Sequence, residues 1–341
     1  MADTKLAAAT SATSAQEQIL GIVTNHWQGR AVAIACELEL ADLLADVPLH
    51  VGELAKRTNT HAPSLFRVLR ALECTGIFAQ VSPKVFANTP ASQCLRRNLP
   101  GSQWVWLRTC LSTDAIVFSG WIGLMSAVQN GQPGFEQIHG CSSWEVLQRE
   151  PEKGAIFNQA MRALSAVITP AVTASYDWSR FPVIADIAGG IGTQLVSILD
   201  AYPGCRGILF DEPHVVAQAI PNERVERVGG NFFVSVPPGA DAYTLRWIIH
   251  DWAEDKALAI LENVRKAMKP SARLILLESV IPDTPAFDMG KWMDVNMLAM
   301  VGGRERTAAE YRELYAKAGF ELEQIVPTPS PLSIIIGRPR P

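Results

Sequence analysis

The amino-acid sequence predicts an α/β protein, with a doubly wound sheet in the C-terminal half and a mainly helical region of winged-helix outline before it. Three observations predict this. From Phe181 onward strand-like runs alternate with helical segments, which implies a parallel sheet with helices on both faces. The first of those strands runs into a glycine-rich turn, Asp186-Ile-Ala-Gly-Gly-Ile-Gly192, that opens a helix. Upstream, apolar residues recur at helical spacing, interrupted by one short hairpin.

In chain order, Ile19, Ile22, Val23 and Trp27 place a first helix, and residues 32–44 continue it through Ala- and Leu-rich turns. Residues 51–57 and 64–72 read as a helix, a turn and a second helix. Residues 76–81 and 85–87 flank Ser82-Pro-Lys84 as a small hairpin, completing the winged-helix outline. Residues 102–176 are helical again and unusually aromatic, with Trp104, Trp106, Phe118, Trp121, Phe135, Trp144 and Phe157. Strands are then expected at 183–187, 207–210, 225–228, 242–249 and 273–280, and helices at 193–201 and 255–268. A strand pair at 320–326 and 332–336 closes the chain. The implied domains are 1–100, winged-helix-like; 101–176, helical; and 177–341, α/β. There is no internal repeat.

A chain of 341 residues has room for two or three domains and a large core. Hydrophobic residues make up 48% and charged residues 19%, which excludes a disordered or fibrous chain. The net charge of −4 argues against a nucleic-acid partner. No apolar run is long enough to cross a bilayer, and the first twenty residues lack the basic-then-apolar layout of a signal peptide. The cysteines (Cys36, Cys74, Cys94, Cys110, Cys141, Cys205) are scattered without a Cys-x-x-Cys pair, so neither a zinc site nor a disulfide framework is implied. Together these features predict a reduced, cytoplasmic protein without a metal.

A glycine loop alone is a weak signal, since many are only tight turns. Two details sharpen this one. The dinucleotide fingerprint needs a third glycine three residues after Gly192, where this chain has Leu195. Asp186 ends the first strand, where nicotinamide-binding loops usually carry no acid. The next strand ends in Phe210-Asp211, nineteen residues past Gly192, and an acid there can accept both hydroxyls of a ribose. The bland reading of Asp211 is a cap or turn residue before Pro213. The coupling of the two signals favours a nucleoside. Moreover, each polar cluster of this half, namely the glycine loop, Asp211, Gly230-Asn-Phe232, His250-Asp-Trp252 and Glu278, follows a predicted strand. That is the edge at which open α/β sheets bind ligands. A lone histidine after a strand is more often structural than catalytic; because His250 opens onto this edge, the functional reading is preferred.

With these marks in place, the sequence resembles the plant caffeate-type O-methyltransferases and their bacterial small-molecule relatives, such as phenazine and anthracycline methyltransferases. The resemblance spans nearly the whole chain. It rests on the glycine loop, Phe210-Asp-Glu-Pro213, Gly230-Asn-Phe-Phe233, Arg246-Trp-Ile-Ile-His-Asp-Trp252, Leu277-Glu-Ser-Val-Ile-Pro282, Gly302-Gly-Arg-Glu-Arg-Thr307 and Phe157-Asn-Gln-Ala-Met161. It implies a Rossmann-type methyltransferase sheet behind an N-terminal winged-helix dimerisation domain, and a homodimer interlocked through N-terminal helices. It also implies methyl transfer from S-adenosylmethionine, leaving S-adenosylhomocysteine, to a hydroxyl of a small aromatic acceptor. On the matching positions, Asp186, Gly189, Gly190 and Gly192 would form the cofactor turn and Asp211 would hold the ribose. Asn231 and Phe232 would flank the adenine, with Arg246 near the cofactor. His250 would be the base, oriented by Glu278 and Glu305, and Phe157, Met161, Trp247, Asp251 and Met297 would line the acceptor pocket.

The chemistry gives a reason for the base. A phenol with a pKa of about 10 is only ~0.1% ionised at neutral pH, a shortfall of roughly 4 kcal/mol that a positioned base can offset. An ordinary histidine, with a pKa of about 6.5, would be neutral and ready to accept. A carboxylate beside it would fix the tautomer. Taken singly, Glu278 and Glu305 read as solvated surface charges, and Phe157, Met161, Trp247 and Met297 have simple core packing as an alternative to pocket lining.

Three positions depart from the family pattern: Ala188 replaces the loop's first glycine, Asn231 an aspartate, and Ala253-Glu254 an acidic pair. Three other readings stay open. Relatives use the same fold for N-methylation, hydroxylation, decarboxylation or a pericyclic reaction. A winged-helix DNA-binding regulator would need a polar reading helix, but Leu65, Phe66, Val68, Leu69 and Leu72 make that helix apolar. A nicotinamide dehydrogenase is disfavoured by Leu195.

Overall fold

The computed structural model describes residues 14–341; most of the segment read above for a signal peptide lies outside the described residues. Packing divides the chain into two compact units, one ending at Phe118 and the other running Ser119–Pro341.

In the first unit a long helix, Ala15–Glu37, starts at a capping box in which the Ser14 side chain and Glu17 satisfy each other's backbone N–H groups. The helix expected to continue through residue 44 stops instead at Glu37, because Glu39 takes a left-handed φ of 50°; Leu40–Leu43 is a separate turn. Strand β1 (Leu49–His50), helices Val51–Arg57 and Ala62–Glu73, and strands β2 (Phe78–Ser82) and β3 (Val85–Asn88) form the expected winged-helix arrangement, with strand order β1-β3-β2. Helix Ala62–Glu73 buries Leu65, Leu69 and Leu72, one apolar face, while Arg67 and Arg70 stand exposed. The face that a DNA reader would present is therefore thinly charged.

The second unit is built on strands β4 (Val183–Ile187), β5 (Arg206–Asp211), β6 (Val225–Gly229), β7 (Ala242–Arg246), β8 (Arg273–Glu278), β11 (Phe320–Pro327) and β12 (Ser333–Pro339). Their order is β11-β12-β8-β7-β4-β5-β6. The sheet is mixed, not wholly parallel: β4 to β8 run parallel, β12 is antiparallel to β8, and β11, antiparallel to β12, runs in the same direction as β4 to β8. β8 is buried along nearly its whole length, as a central strand covered on both faces must be. Because β4 to β8 are parallel, the segments following them emerge along one edge.

Two strands end earlier than the sequence predicts. The run expected over 242–249 stops at Arg246, since Trp247 adopts a left-handed φ of 52°. The freed N–H groups of Ile248 and Ile249 donate to Glu278 Oε1 at 3.1 and 2.9 Å, and a short 3-10 turn, Ile249–Asp251, follows. The run expected over 273–280 breaks after Glu278, and the two-residue strand β9 (Val280–Ile281) pairs in parallel with β10 (Arg306–Thr307). Glu278, the last residue of β8 and paired there with Ser333, lies at both departures, its side chain accepting the N–H groups that follow β7.

Of the aromatic residues between 102 and 176, Trp104 and Phe135 are core, whereas Trp106 and Trp144 keep substantial exposure. In the glycine turn Ala188, Gly190 and Gly192 all have left-handed φ, at 55°, 61° and 87°. Alanine there costs on the order of 1 kcal/mol relative to glycine. Ala188→Gly should therefore leave the fold unchanged and raise its stability by up to about 1 kcal/mol, with the gain partly offset by a freer unfolded chain. The urea midpoint measures it, and a lower midpoint would mean that the alanine methyl contributes packing that outweighs the backbone cost.

Candidate active site

The edge formed by the ends of β4 to β8 collects the predicted polar residues. Asp186, at the end of β4, is buried; its Oδ1 accepts the Thr244 hydroxyl at 2.7 Å from β7, and its Oδ2 is buried without a partner. Burial raises its carboxyl to about 6, against the opposing pull of Thr244 and Arg246. Gly189 is required by contact: a Cβ on it would lie 2.6 Å from both Asp186 Oδ2 and the Leu209 side chain. Asp211 receives the Gly190 N–H on Oδ2 at 2.8 Å and the Glu212 N–H on Oδ1 at 2.7 Å. A carboxylate has roughly four acceptor positions. Each Asp211 oxygen therefore keeps acceptor capacity of the kind a ribose hydroxyl would use, and the Gly190 bond ties the carboxylate to the glycine turn. The turn and the acid fit a nucleoside ligand together.

One strand further along, the exposed Asn231 spends its Oδ1 on the Phe233 N–H at 2.8 Å, leaving chiefly its amide NH2 to donate outward. Phe232 packs edge-on against Phe233 and Trp252, at centroid distances of 4.8 and 6.0 Å. Trp252, which the sequence reading quoted within a motif but did not single out, completes this aromatic group. Arg246 ends β7 and donates to two hydroxyls on helix Pro151–Ala174, Nη1 to Thr169 at 2.8 Å and Nη2 to Ser165 at 2.9 Å. Neither hydroxyl was foreseen.

His250, Glu278 and Glu305 are brought together and buried, which overturns the solvated reading of the two glutamates. His250 Nδ1 bonds Glu305 Oε1 at 2.7 Å, and its Nε2 lies 3.3 Å from Asp251 Oδ1. Glu278 holds the Ile248 and Ile249 N–H groups and so sets the backbone that presents the ring. The close approach of residues 302–305 depends on Gly303, where any Cβ would collide with the His250 carbonyl oxygen. The Glu305 N–H is in turn held by Asp294 Oδ1 at 3.0 Å.

Burial by itself would lower the imidazole pKa. The charges of Asp251 and Glu278 and the hydrogen bond with Glu305 outweigh it and raise His250 from 6.5 to about 10. Burial likewise raises Asp251, to about 6, and Glu278. The expectation of a ring neutral at pH 7 is thereby corrected. The shift favours a protonated ring at rest over the neutral one expected, because the surrounding carboxylates stabilise the imidazolium charge.

Of the acceptor-side candidates, Trp247 lies face to face with His250, with ring centroids 6.2 Å apart and planes 6° from parallel. Asp251 shares the Nε2 end of the ring. Phe157 and Met161 are half-buried on helix Pro151–Ala174, with Phe157 edge-on to Trp144, and Met297 is buried on helix Met289–Met300.

Two family models match the chain: the O-methyltransferase domain over residues 121–321 and the O-methyltransferase dimerisation domain over residues 21–98. The chain is 37% identical to the phenazine O-methyltransferase of Lysobacter antibioticus, over 94% of this chain and 95% of that protein. It is 35% identical to the 8-amino-8-demethylriboflavin N,N-dimethyltransferase of Streptomyces davaonensis, over 85% and 86%. A solved O-methyltransferase from neocarzinostatin biosynthesis, in complex with S-adenosylmethionine and 2-hydroxy-5-methyl naphthoic acid, superposes with a TM-score of 0.82 at 29% identity. That superposition covers 92% of this chain and 96% of the other.

The charge arrangement makes a direct prediction. NMR of the His250 ring should show it protonated through neutral pH and titrating well above 6.5, toward 10, and Glu305→Gln should bring the titration down. A ring that titrates at or below 6.5 in the unaltered protein would contradict the arrangement.

Proposed function

The chain belongs to the O-methyltransferase family, as an S-adenosylmethionine-dependent enzyme that methylates small-molecule hydroxyls, and on that premise we propose that His250 is its general base toward a phenolic hydroxyl of a small aromatic acceptor. The observation that carries this reading is the placement of His250 at the ligand edge of the sheet, bonded to Glu305 at 2.7 Å behind the ring.

S-adenosylmethionine supplies the electrophilic methyl group when bound. In this reading Asp211 holds its ribose, the turn from Asp186 through Gly189, Gly190 and Gly192 cradles its amino-acid end, and Asn231, Phe232 and Trp252 flank its adenine, with Arg246 nearby. Phe157, Met161, Trp247, Asp251 and Met297 line the acceptor side. His250 takes the hydroxyl proton as the oxygen attacks. Glu305 holds the back of the ring, and Glu278 fixes the turn that carries it. The raised basicity of His250 suits the task. Proton transfer from a phenol of pKa about 10 to an imidazole of similar basicity is nearly level, whereas an ordinary histidine would leave a gap of roughly 5 kcal/mol. In exchange, His250 must first release the proton it already carries.

The dimerisation family match and the exposed Ile19, Leu20, Ile22 and Trp27 on helix Ala15–Glu37 support a homodimer joined through the N-terminal helices. Among the described residues no helix is long and apolar enough to cross a membrane. The free cysteines fit a reducing compartment, and we assign the enzyme to the cytoplasm. The N,N-dimethyltransferase relative favours one second reading, methylation of an amine by the same site.

A panel of phenols and aromatic amines, incubated with the enzyme and S-adenosylmethionine and read by mass spectrometry, tests both. Gain of one methylene unit on a phenol is expected. His250→Ala should lower kcat on that phenol by about 10²–10⁴-fold. Its dissociation constant for S-adenosylhomocysteine should move by less than about threefold. Full turnover by His250→Ala would remove the base, and methylation confined to amines would establish the second reading.

A further inference from the structure

Helix Pro151–Ala174 contains Pro170 in its interior. Proline has no N–H, so the bond that residue 170 would donate to the Ala166 carbonyl cannot form, and the ring crowds that carbonyl. The helix therefore has a built-in break at 166–170. From Ile168 onward it is anchored: Ile168, Thr169, Val172 and Thr173 are buried. There the Thr173 hydroxyl pairs with Ser197 at 2.9 Å and accepts from Gln194 at 3.1 Å, both on the helix that opens at the glycine turn. Before the break lies the arm with Phe157 and Met161, whose residues are mostly half-buried or exposed.

Arg246 grips this helix at the turn that lacks the bond, on Ser165 just before Ala166 and on Thr169 just before Pro170. Nη2 holds Ser165 on the arm and Nη1 holds Thr169 on the anchored part. Its guanidinium, at the end of β7, has no ion-pair partner among the described residues, although the strand neighbour of β7 ends in the buried Asp186. A guanidinium offers five N–H donors in a fixed fork, so two bonds to hydroxyls leave others for an anion arriving at the ligand edge.

We propose that Arg246 is a positioning residue: by bridging Ser165 and Thr169 at the Pro170 break it sets the angle of the arm at 151–165, and it passes occupancy of the glycine-turn site to the acceptor side. The carboxylate of the cofactor's amino-acid end is the anion of the right chemistry to engage the same guanidinium. Once the guanidinium is pinned by that charge, the arm is pinned with it, and Phe157 and Met161 take up fixed positions. The acceptor half of this inference rests on the proposed placement of Phe157 and Met161. The coupling itself does not.

Hydrogen exchange of the amides at 154–165, with and without S-adenosylhomocysteine, reads the coupling without turnover. In the unaltered protein the ligand should slow this exchange by about tenfold. In Ser165→Ala/Thr169→Val, which leaves Arg246 free to bind the ligand, the slowing should fall below about twofold while the ligand's dissociation constant changes by less than about threefold. The acceptor KM should rise by about tenfold. Undiminished slowing in the double variant overturns the proposal. Pro170→Ala leaves both hydroxyls in place and restores the missing donor, so its arm should exchange slowly with or without ligand; a full ligand response there overturns the proposal equally. Lost slowing with an unchanged acceptor KM would keep the clamp and instead refute the placement of Phe157 and Met161.

Discussion

An imidazole held among three carboxylates, two of them buried and Asp251 half-buried, is the constraint around which this site is built. Glu305 lies against Nδ1, Asp251 against Nε2, and Glu278 beneath the turn that carries the ring. An isolated buried charge is costly, and removing one partner of a buried ionic group typically costs about 3–5 kcal/mol. Several local features that look irregular serve this cluster. Trp247 takes a left-handed conformation that ends β7 early, Gly303 lets the Glu305 segment press against the His250 backbone, and β9 and β10 pair for only two residues to bring that segment beside Glu278. Each would be a defect in a protein whose edge had no ionic cluster to assemble.

The same arrangement reconciles two demands on a base. Near a phenol it must be strong, which calls for negative neighbours; in a buried site it must not leave an uncompensated charge, which calls for a proton on the ring. Surrounding carboxylates meet both at once, at the expense of a ring that rests in the wrong protonation state. The opposite end of the edge has a different logic. There the Gly190 N–H bonds the carboxylate of Asp211 directly, so that the acid proposed to hold the ribose is tied to the glycine turn.

Much of this was legible in the sequence because it is local. Alternating runs from residue 181 located the strands, and the glycine turn with Asp211 nineteen residues on identified the ligand edge. Ala188 stands where the family pattern has a glycine, and its φ of 55° is the left-handed conformation that a glycine there would accommodate. What was not legible depends on contacts between distant segments. At the ends of β7 and β8, Glu278 reaches across to Ile248 and Ile249, which no periodicity reports. The upward shift of His250 comes from its neighbour Asp251 together with Glu278 and Glu305, 28 and 55 residues away, whose approach the sequence does not report. Ser165 and Thr169 looked like ordinary helix hydroxyls until Arg246 was found between them. Trp252 was visible in its motif, and only its packing against Phe232 and Phe233 separates it from a core tryptophan.

The pH dependence of kcat/KM on a phenolic acceptor, measured for the unaltered enzyme and for Glu305→Gln, tests the central claim most directly. A His250 base would act only when its ring has lost a proton, and its pKa is raised, so on the proposed role activity is held down below that pKa and climbs as pH rises through it. The unaltered enzyme should still be gaining, by close to tenfold per pH unit, between roughly pH 7 and 9. Glu305→Gln, with one negative neighbour removed, should level off at lower pH and at a lower rate. An acid limb centred near 6.5 in both proteins would contradict a carboxylate-charged base.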